Sequence, residues 1–222
     1  MTDTTNSTDP RMDAWRSCYT GVIHDVLRAM GHKNFTLPPR ITPLQPDTTL
    51  CGPAWTIEGH VDETADPHET LLAWTGLLSK AKPGYIWTAQ PNTHAIAQMG
   101  ELSAETLHRK GVLGCVIDGA IRDSNFLLDL GFLCWRTHHT PRDIVGFWMP
   151  SATDSSITIG DVRIHPGDWL HGDRDGIIRI PVNVLDEVLE KSLHAMQTEN
   201  KVRTAILGGV DPQTAYLTHG KF

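Results

Sequence analysis

The chain has 222 residues, 40% of them hydrophobic and 20% charged, which suits a folded unit with a sizeable core and excludes wholesale disorder. A net charge of −7 argues against a nucleic-acid surface, which needs clustered Lys and Arg, and leaves room only for a local basic pocket. The opening MTDTTNSTDP lacks the apolar centre of a secretory signal and no apolar run is long enough to span a bilayer, so the expectation is a cytoplasmic protein.

Residues 1–16 read as a polar N-terminal tail and residues 17–222 as one domain, with no repeat or linker. CYTGVIHDVLRAMG places Val22, Ile23, Val26, Leu27 and Met30 on one helical stripe ending at Gly31. The proline-rich NFTLPPRITPLQPDTTL cannot stay regular for long. AWTIEGHV alternates as a strand, ETLLAWTGLLSKAKPG reads as a helix stopped at Pro83 and Gly84, and YIWTAQ is a β-branched and aromatic strand. GELSAETLHRKG is a short helix closed by Gly111, and VLGCVID is a strand buried on both faces by its unbroken apolarity. SNFLLDLG gives a brief helix and FLCWRT a strand. ITIGDVRIHPGDWLHGDRDGIIRIP gives three short strands broken at turn signals, and one long helix, VNVLDEVLEKSLHAMQTENKVRTAILGG, closes the chain. Strands alternating with helices and turning hairpin-like later make a mixed α/β domain.

The four cysteines, Cys18, Cys51, Cys115 and Cys134, show no CxxC spacing, so neither a zinc site nor a disulfide framework is expected. Twelve histidines are many, yet no HExxH or His-x-His spacing marks a metal site, and His138 and His139 point apart in an extended segment. Residues 114–125, GCVIDGAIRDSN, pose the sharper question, because an apolar run delivers the adjacent charges Arg122 and Asp123. One reading is a surface pair, with Asp123 capping the helix SNFLLDL. The other is a site, since α/β sheets bind ligands beyond the carboxyl ends of their strands: the aspartate suits a hard cation and the arginine a carboxylate or enolate oxygen. The start of GELSAETL tilts the balance, offering the backbone amides of Gly100, Leu102 and Ser103 as a nest for a carboxylate.

GVLGCVIDGAIRD, the preceding GELSAETLHRKG, the later PGDWLHGDRDGIIRIP and the earlier GVIHDVLRAMG…CGPAWTI together resemble the RraA-like superfamily across roughly residues 17–210. That superfamily includes the class II 4-hydroxy-4-methyl-2-oxoglutarate aldolases and the regulator of ribonuclease E activity. The resemblance implies an α/β/α layered fold of the swivelling-domain kind, assembled as a homotrimer or homohexamer with sites between subunits. It implies Asp123 as ligand to Mg²⁺ or Mn²⁺ together with waters, and Arg122 facing the 2-oxo oxygen of the substrate. The amides of Gly100, Leu102 and Ser103 would hold the pyruvyl carboxylate. Glu199 matches a glutamate that reaches the neighbouring subunit's metal waters; as a bare sequence feature it is equally a solvated helix carboxylate. Asp118 either buttresses this site or ends its strand.

The expected activity is that of a metal-dependent aldolase or lyase, cleaving a 4-hydroxy-2-oxo acid to pyruvate and a second carbonyl compound, with oxaloacetate decarboxylation alongside. A metal-linked water would take the C4 hydroxyl proton, and no lysine in the motif suggests a Schiff base. Two departures from the aldolase pattern stand out. Phe126, beside Asn125, occupies a position usually acidic, and YIWTAQPN carries Gln90 and Asn92 where an acid often closes the strand. Phe126 is expected to turn the distal pocket against highly charged fragments. The alternatives are a non-catalytic regulator of the ribonuclease E inhibitor type, a branch without the aspartate after the arginine, and a different metal-assisted reaction on the same scaffold. Trp74, Trp87, Trp135 and Trp148 are read as core or interface packing, or as the lining of an unusual pocket.

Overall fold

The computed structural model describes residues 9–220. In chain order its helices are α1 (Met12–Ser17), α2 (Thr20–Ala29), α3 (Pro67–Ser79), α4 (Glu101–Arg109), α5 (Ser124–Leu130), α6 (Leu185–Leu207) and α7 (Pro212–His219). Its strands are β1 (Thr42–Pro43), β2 (Leu50–Val61), β3 (Ile86–Gln90), β4 (Ala97–Met99), β5 (Gly114–Ile117), β6 (Ala120–Ile121), β7 (Cys134–Arg136), β8 (His138–His139), β9 (Trp148–Thr153), β10 (Ile157–Ile159), β11 (Val162–Ile164), β12 (Trp169–Asp173) and β13 (Gly176–Ile180).

The main sheet runs β1-β7-β5-β3-β2-β12-β13, with β9 also on β2. Its centre, β2-β3-β5-β7, is parallel, and β1, β9, β12 and β13 add antiparallel pairs at the sides. Alternation along the strands sorts side chains into separate cores. Val116, Ile86, Ala54, Trp135 and Leu170 point into a space closed by the hairpin β10–β11. Cys115, Ile117, Trp87 and Trp55 point the other way, onto α3, α4 and α5. Past the β12–β13 end, Trp169, Ile178 and Ile180 pack under α1, α2 and α6. The sheet is therefore covered on both faces, which is why its central strands are uninterrupted apolar runs. This is the α/β architecture expected from the alternating pattern.

Helix starts follow local chemistry. At α3 the Asp66 carboxylate accepts from the amides of His68 and Glu69, at 2.8 and 3.1 Å, with Pro67 in the first turn where no amide is missed. At α7, Asp211 caps the amide of Thr214 ahead of Pro212. Trp55, Trp87, Trp74 and Trp148 form a chain of edge-on contacts with ring centroids 5.3, 5.5 and 6.0 Å apart. The wall between β2 and α3 is thus built of indoles. Each such pair adds about 0.5–1.5 kcal/mol beyond its buried area.

Several features differ from the sequence expectation, and four of them bear on the core and the chain ends. Residues 12–16 leave the tail: Met12 and Trp15, three apart on α1, are buried, and Trp15 packs on Trp169 with centroids 5.7 Å apart. Residues 157–180 hold four strands rather than three, because Pro166 and Gly167 form a turn between two hairpins and not a break within one. Strand β9 carries a proline and went unpredicted; Pro150 sits opposite Gly59 at a register shift on an edge strand, where a missing amide is tolerated. Finally, Gly208 and Gly209 end α6, and α7 follows as a separate helix. Among the described residues no helix is long and apolar enough to cross a membrane.

One buried group makes this core sensitive to acid. His171 on β12 is fully buried, its ring 6.1 Å from that of Trp15, and neither ring nitrogen has a partner at full hydrogen-bond geometry among the described residues. Burial pushes its pKa down to about 4, against the opposing pulls of Asp173 and of the Cys18 backbone. An exposed histidine titrates near about 6.5, so the unfolded chain takes up the proton first as pH falls. The stability this neutral ring confers is therefore complete above about pH 6.5 and is lost towards pH 4, by an amount on the order of 3 kcal/mol. Urea melts at pH 7 and pH 4.5 should show a smaller loss for His171→Leu than for wild type; equal losses would refute the assignment.

Candidate functional site

Three parallel strands of the main sheet each continue into a strand of a second, smaller sheet. β3 leads to β4, β5 is interrupted at Asp118 and Gly119 before β6, and β7 breaks at Thr137 before β8. The small sheet runs β4-β6-β8, all parallel, repeating the order β3-β5-β7. At the break, the Asp118 amide donates to Ala89 and the Thr137 amide to Gly119, so backbone pairing is handed on without a gap. The carboxyl ends of β4 and β6 then deliver Gly100 and the adjacent Arg122 and Asp123 to one place. That is where α/β sheets present their sites.

Asp123 decides the local geometry. Its backbone is left-handed, φ 55° and ψ 37°, a conformation few non-glycine residues adopt but one that aspartate and asparagine enter more readily than most. Although it occupies the N-cap of α5, its side chain makes no capping bond there. Instead Oδ2 accepts from the Glu101 amide at the start of α4, at 3.1 Å, and lies 3.5 Å from Arg122 Nε. The capping reading is thus corrected: the carboxylate serves a neighbouring helix and the arginine beside it.

Gly100 makes this approach possible. A Cβ there would lie 2.6 Å from Asp123 Oδ2 and 3.2 Å from Arg122 Nε. In α4 the first intrahelical bond is Ala104 N–H to Gly100 C=O at 2.9 Å. With Glu101 engaged by Asp123, the amides of Leu102 and Ser103 have no backbone or side-chain acceptor among the described residues, as a helix start requires of an anion nest. The Ser103 hydroxyl accepts from the Trp74 indole at 3.1 Å, which ties this turn to α3.

Arg122 is held from both sides. Its amide donates to Met99 C=O at 2.9 Å, and its guanidinium lies 3.3 Å from Asp143 Oδ2. Asp143 is itself set by a turn in which Oδ1 accepts from Val145 N–H at 3.1 Å, while Arg142 stacks 4.0 Å from the Phe147 ring. Sequence reading missed Asp143, because it lies some twenty residues downstream with only its neighbouring Pro141 as a loop signal. It also missed Glu101 as a cleft residue.

These groups open onto a cleft of about 620 Å³. Arg122, Asp123 and Asp143 gather at one part of its lining, Glu101 also lines it, and Leu71, Trp74, Leu78, Ile144 and Val145 supply most of its apolar surface. Against three carboxylates stands one guanidinium, a surplus of negative charge that suits a divalent cation. A Mg²⁺-like ion needs only one or two protein carboxylates beside its waters, so Asp123 as direct ligand fits. No group of three His, Cys, Asp or Glu ligands occurs among the described residues. A smaller depression of about 320 Å³ lies on the far side of Asp123, beside His139 and Thr140. There desolvation, then the charges of Arg136 and His138, hold the His139 pKa below its ordinary value. A groove of about 700 Å³ along α6 is larger but is bounded by that helix alone.

Other expected participants lie elsewhere. Glu199 on α6 is absent from the cleft lining and accepts a hydrogen bond from the Tyr19 hydroxyl, whose pKa burial and then this carboxylate push up to about 12. Asp118 neither touches Arg122 nor ends its strand idly: Arg40 grips both its oxygens, at 2.8 and 2.7 Å, and is itself held more firmly protonated by the pair. Phe126 is exposed on α5 and is not part of the cleft of its own chain. Of the tryptophans, Trp87, Trp135 and Trp148 are core, and only Trp74 reaches the cleft.

The role of Gly100 is directly testable. Its φ of −145° is open to alanine, so Gly100→Ala should cost no more than about 1–3 kcal/mol of stability through crowding. It should nevertheless drive the Asp123 carboxylate off the Glu101 amide. A crystal structure of the variant with that contact intact would contradict the crowding argument.

Comparison with known proteins places the chain. Over 202 residues it is 27% identical to Protein DlpA of Legionella pneumophila, covering 87% of this chain but only 31% of that one, so it spans about a third of that relative's length. Over 208 residues it is 28% identical to a Halalkalibacterium halodurans protein provisionally named 4-hydroxy-4-methyl-2-oxoglutarate aldolase, covering 91% of each. The crystal structure of RraAS2 of Streptomyces coelicolor, described as an unusual member of the RNase ES inhibitor RraA family, matches with a TM-score of 0.77 at 25% identity, over 89% of this chain and 98% of that one. The family model described as RraA-like, Aldolase/RraA, matches residues 20–179, and the chain belongs to that family.

Proposed function

We propose that this protein is a divalent-metal-dependent lyase that cleaves a 4-hydroxy-2-oxo acid into pyruvate and a second carbonyl compound, and that it also decarboxylates oxaloacetate. The observation that carries this reading is the seating of Asp123 against the first amide of α4, with Arg122 beside it and Asp143 behind the guanidinium. A regulator needs no such charged constellation inside a cleft. Asp123 would hold Mg²⁺ or Mn²⁺ with waters; when bound, the cation supplies Lewis-acid polarisation of the 2-oxo group.

The chain's own residues account for the rest. The open amides of Leu102 and Ser103 bind the substrate carboxylate at the helix start, next to Gly100, where the helix dipole favours an anion. Arg122 faces the 2-oxo oxygen. Transfer of the C4 hydroxyl proton to water in the open cleft turns C4–O into the carbonyl of the second product as the C3–C4 bond breaks, its electron pair moving to C3–C2 and placing negative charge on the C2 oxygen. The guanidinium stabilises that enolate oxygen more than the neutral ketone, which is the condition for accelerating the step. Protonation at C3 releases pyruvate. Asp143 prevents the arginine from swinging away. Oxaloacetate yields the same enolate when carbon dioxide leaves, so the two activities share one site. The apolar wall around Trp74 and Ile144 disfavours a charged distal fragment, because a carboxylate there would be buried without a partner.

Pyruvate release, followed by a coupled lactate dehydrogenase assay, tests this. Turnover of 4-hydroxy-2-oxo acids and of oxaloacetate should need added Mg²⁺ or Mn²⁺ and vanish on chelation. Asp123→Asn should abolish it, and Arg122→Ala should reduce it by on the order of 100-fold or more. Less charged substrates should outperform tricarboxylic ones. No pyruvate above the metal-only blank would move the reading to the regulator.

Glu199 belongs to this reading only through a second copy of the chain, in a homotrimer or homohexamer. Light scattering should give a multiple of three. Mixing Asp123→Asn with Glu199→Ala chains should regenerate some intact sites and recover activity that neither variant has alone. An active monomer would remove Glu199 from the mechanism.

A further inference from the structure

Three hydroxyl side chains line the cleft, those of Thr75, Ser103 and Thr106, and they differ in where their hydrogens go. The Thr75 hydroxyl donates to Leu71 C=O one turn back, at 2.8 Å, and the Thr106 hydroxyl to Leu102 C=O, at 2.7 Å. Each is spent on its own helix, as hydroxyls in helix interiors commonly are. Ser103 does the opposite. Its oxygen accepts from the Trp74 indole N–H at 3.1 Å, and its own hydrogen has no acceptor among the described residues. The carbonyl one turn back, that of Met99, is engaged by the Arg122 amide. An indole nitrogen only donates, so the serine hydrogen must turn away from it.

Ser103 is the third residue of α4, half-buried and on the cleft lining. Helical side chains lean towards the N-terminus, so its hydroxyl lies at the end of the helix that carries the open amides of Leu102 and Ser103. Covalent geometry keeps the hydroxyl close to the amide of the same residue. One helical turn thus presents three unspent donors. The indole contact strengthens the third, because a hydroxyl that accepts a hydrogen bond donates a better one. A group that takes three hydrogens and brings none is a carboxylate, whose two oxygens offer about four lone-pair sites. A carboxamide accepts on one oxygen only and turns its own hydrogens against the remaining donors.

We propose that the Ser103 hydroxyl, oriented by the Trp74 indole, is a third donor to the substrate carboxylate and makes the site selective for free 2-oxo acids over their neutral amides. The inference rests on the pyruvate-forming reading of the site and adds to it a side chain that the reading leaves unused.

The test measures pyruvate binding by calorimetry, and pyruvamide binding by competition, with Mg²⁺ added to the full chain. It compares wild type, Ser103→Ala, Ser103→Thr, Trp74→Phe and the Ser103→Ala, Trp74→Phe double variant. Ser103→Ala keeps both backbone amides and should raise the pyruvate Kd about 10-fold, with pyruvamide changed by no more than about twofold. Ser103→Thr retains the hydroxyl and should stay within about threefold of wild type. Trp74→Phe should raise the pyruvate Kd about threefold by itself and not at all on top of Ser103→Ala, because both changes act through one hydrogen. A serine that only ties α4 to α3 would lower the melting temperature of Ser103→Ala and leave the preference for pyruvate over pyruvamide unchanged; that result overturns the hydroxyl assignment alone. A Trp74→Phe effect that persists undiminished beside Ser103→Ala overturns the role given to the indole. Wild type that neither binds pyruvate nor releases it overturns the site reading and this assignment together.

Discussion

The carboxylate of Asp123 accepts a hydrogen bond from the first amide of α4, not from its own helix, and most of the site follows from that contact. It joins the starts of two helices that leave neighbouring parallel strands. It requires the left-handed backbone at Asp123, which turns the side chain back across β4, and it requires a glycine at position 100, since any Cβ would occupy the same space. By taking the Glu101 amide it directs the remaining open donors of the helix start, Leu102 and Ser103, towards the cleft. Strain at one residue is thereby balanced by packing and hydrogen bonding around it, a distribution common where geometry serves binding.

That contact is reachable only because the strands are interrupted. If β5 ran straight through Asp118 and Gly119, the Arg122 and Asp123 pair would leave the main sheet on a different trajectory. The break lets β6 pair with β4 and β8 while backbone bonds from Asp118 and Thr137 keep the two sheets continuous. Asp118, bound by Arg40, anchors the outer end of this junction. It stabilises the site at a distance without entering it.

Chemically the cleft is divided. One part sets two carboxylates, Asp123 and Asp143, against one guanidinium, which favours a cation and an anionic substrate together; elsewhere the lining is mainly apolar, with the hydroxyl residues Thr75 and Thr106 among it. Such a division suits a substrate that is charged at one end and nearly neutral at the other. The twelve histidines contribute little to it. His171 is a buried core residue, and His139 borders a separate depression.

Much of this could be read from residues in order. Periodicity located α2, α3, α4 and the buried run of β5, because a 3.6-residue stripe and a continuous apolar strand each follow from local packing demands. The adjacency of Arg122 and Asp123 after an apolar strand identified the centre of the site, and helix-start chemistry identified Gly100, Leu102 and Ser103. What sequence could not decide was pairing at a distance. Whether Asp123 caps α5 or α4 depends on a backbone angle set by the small sheet, and Asp143 reaches Arg122 only through a loop closing over the strand ends. Trp15 looked like part of a polar tail because its partner, Trp169, lies on the far side of the fold. Local order determined the elements and the chemistry each could carry; the tertiary structure alone decided which groups meet, because hydrogen bonding and burial act between residues that the chain separates.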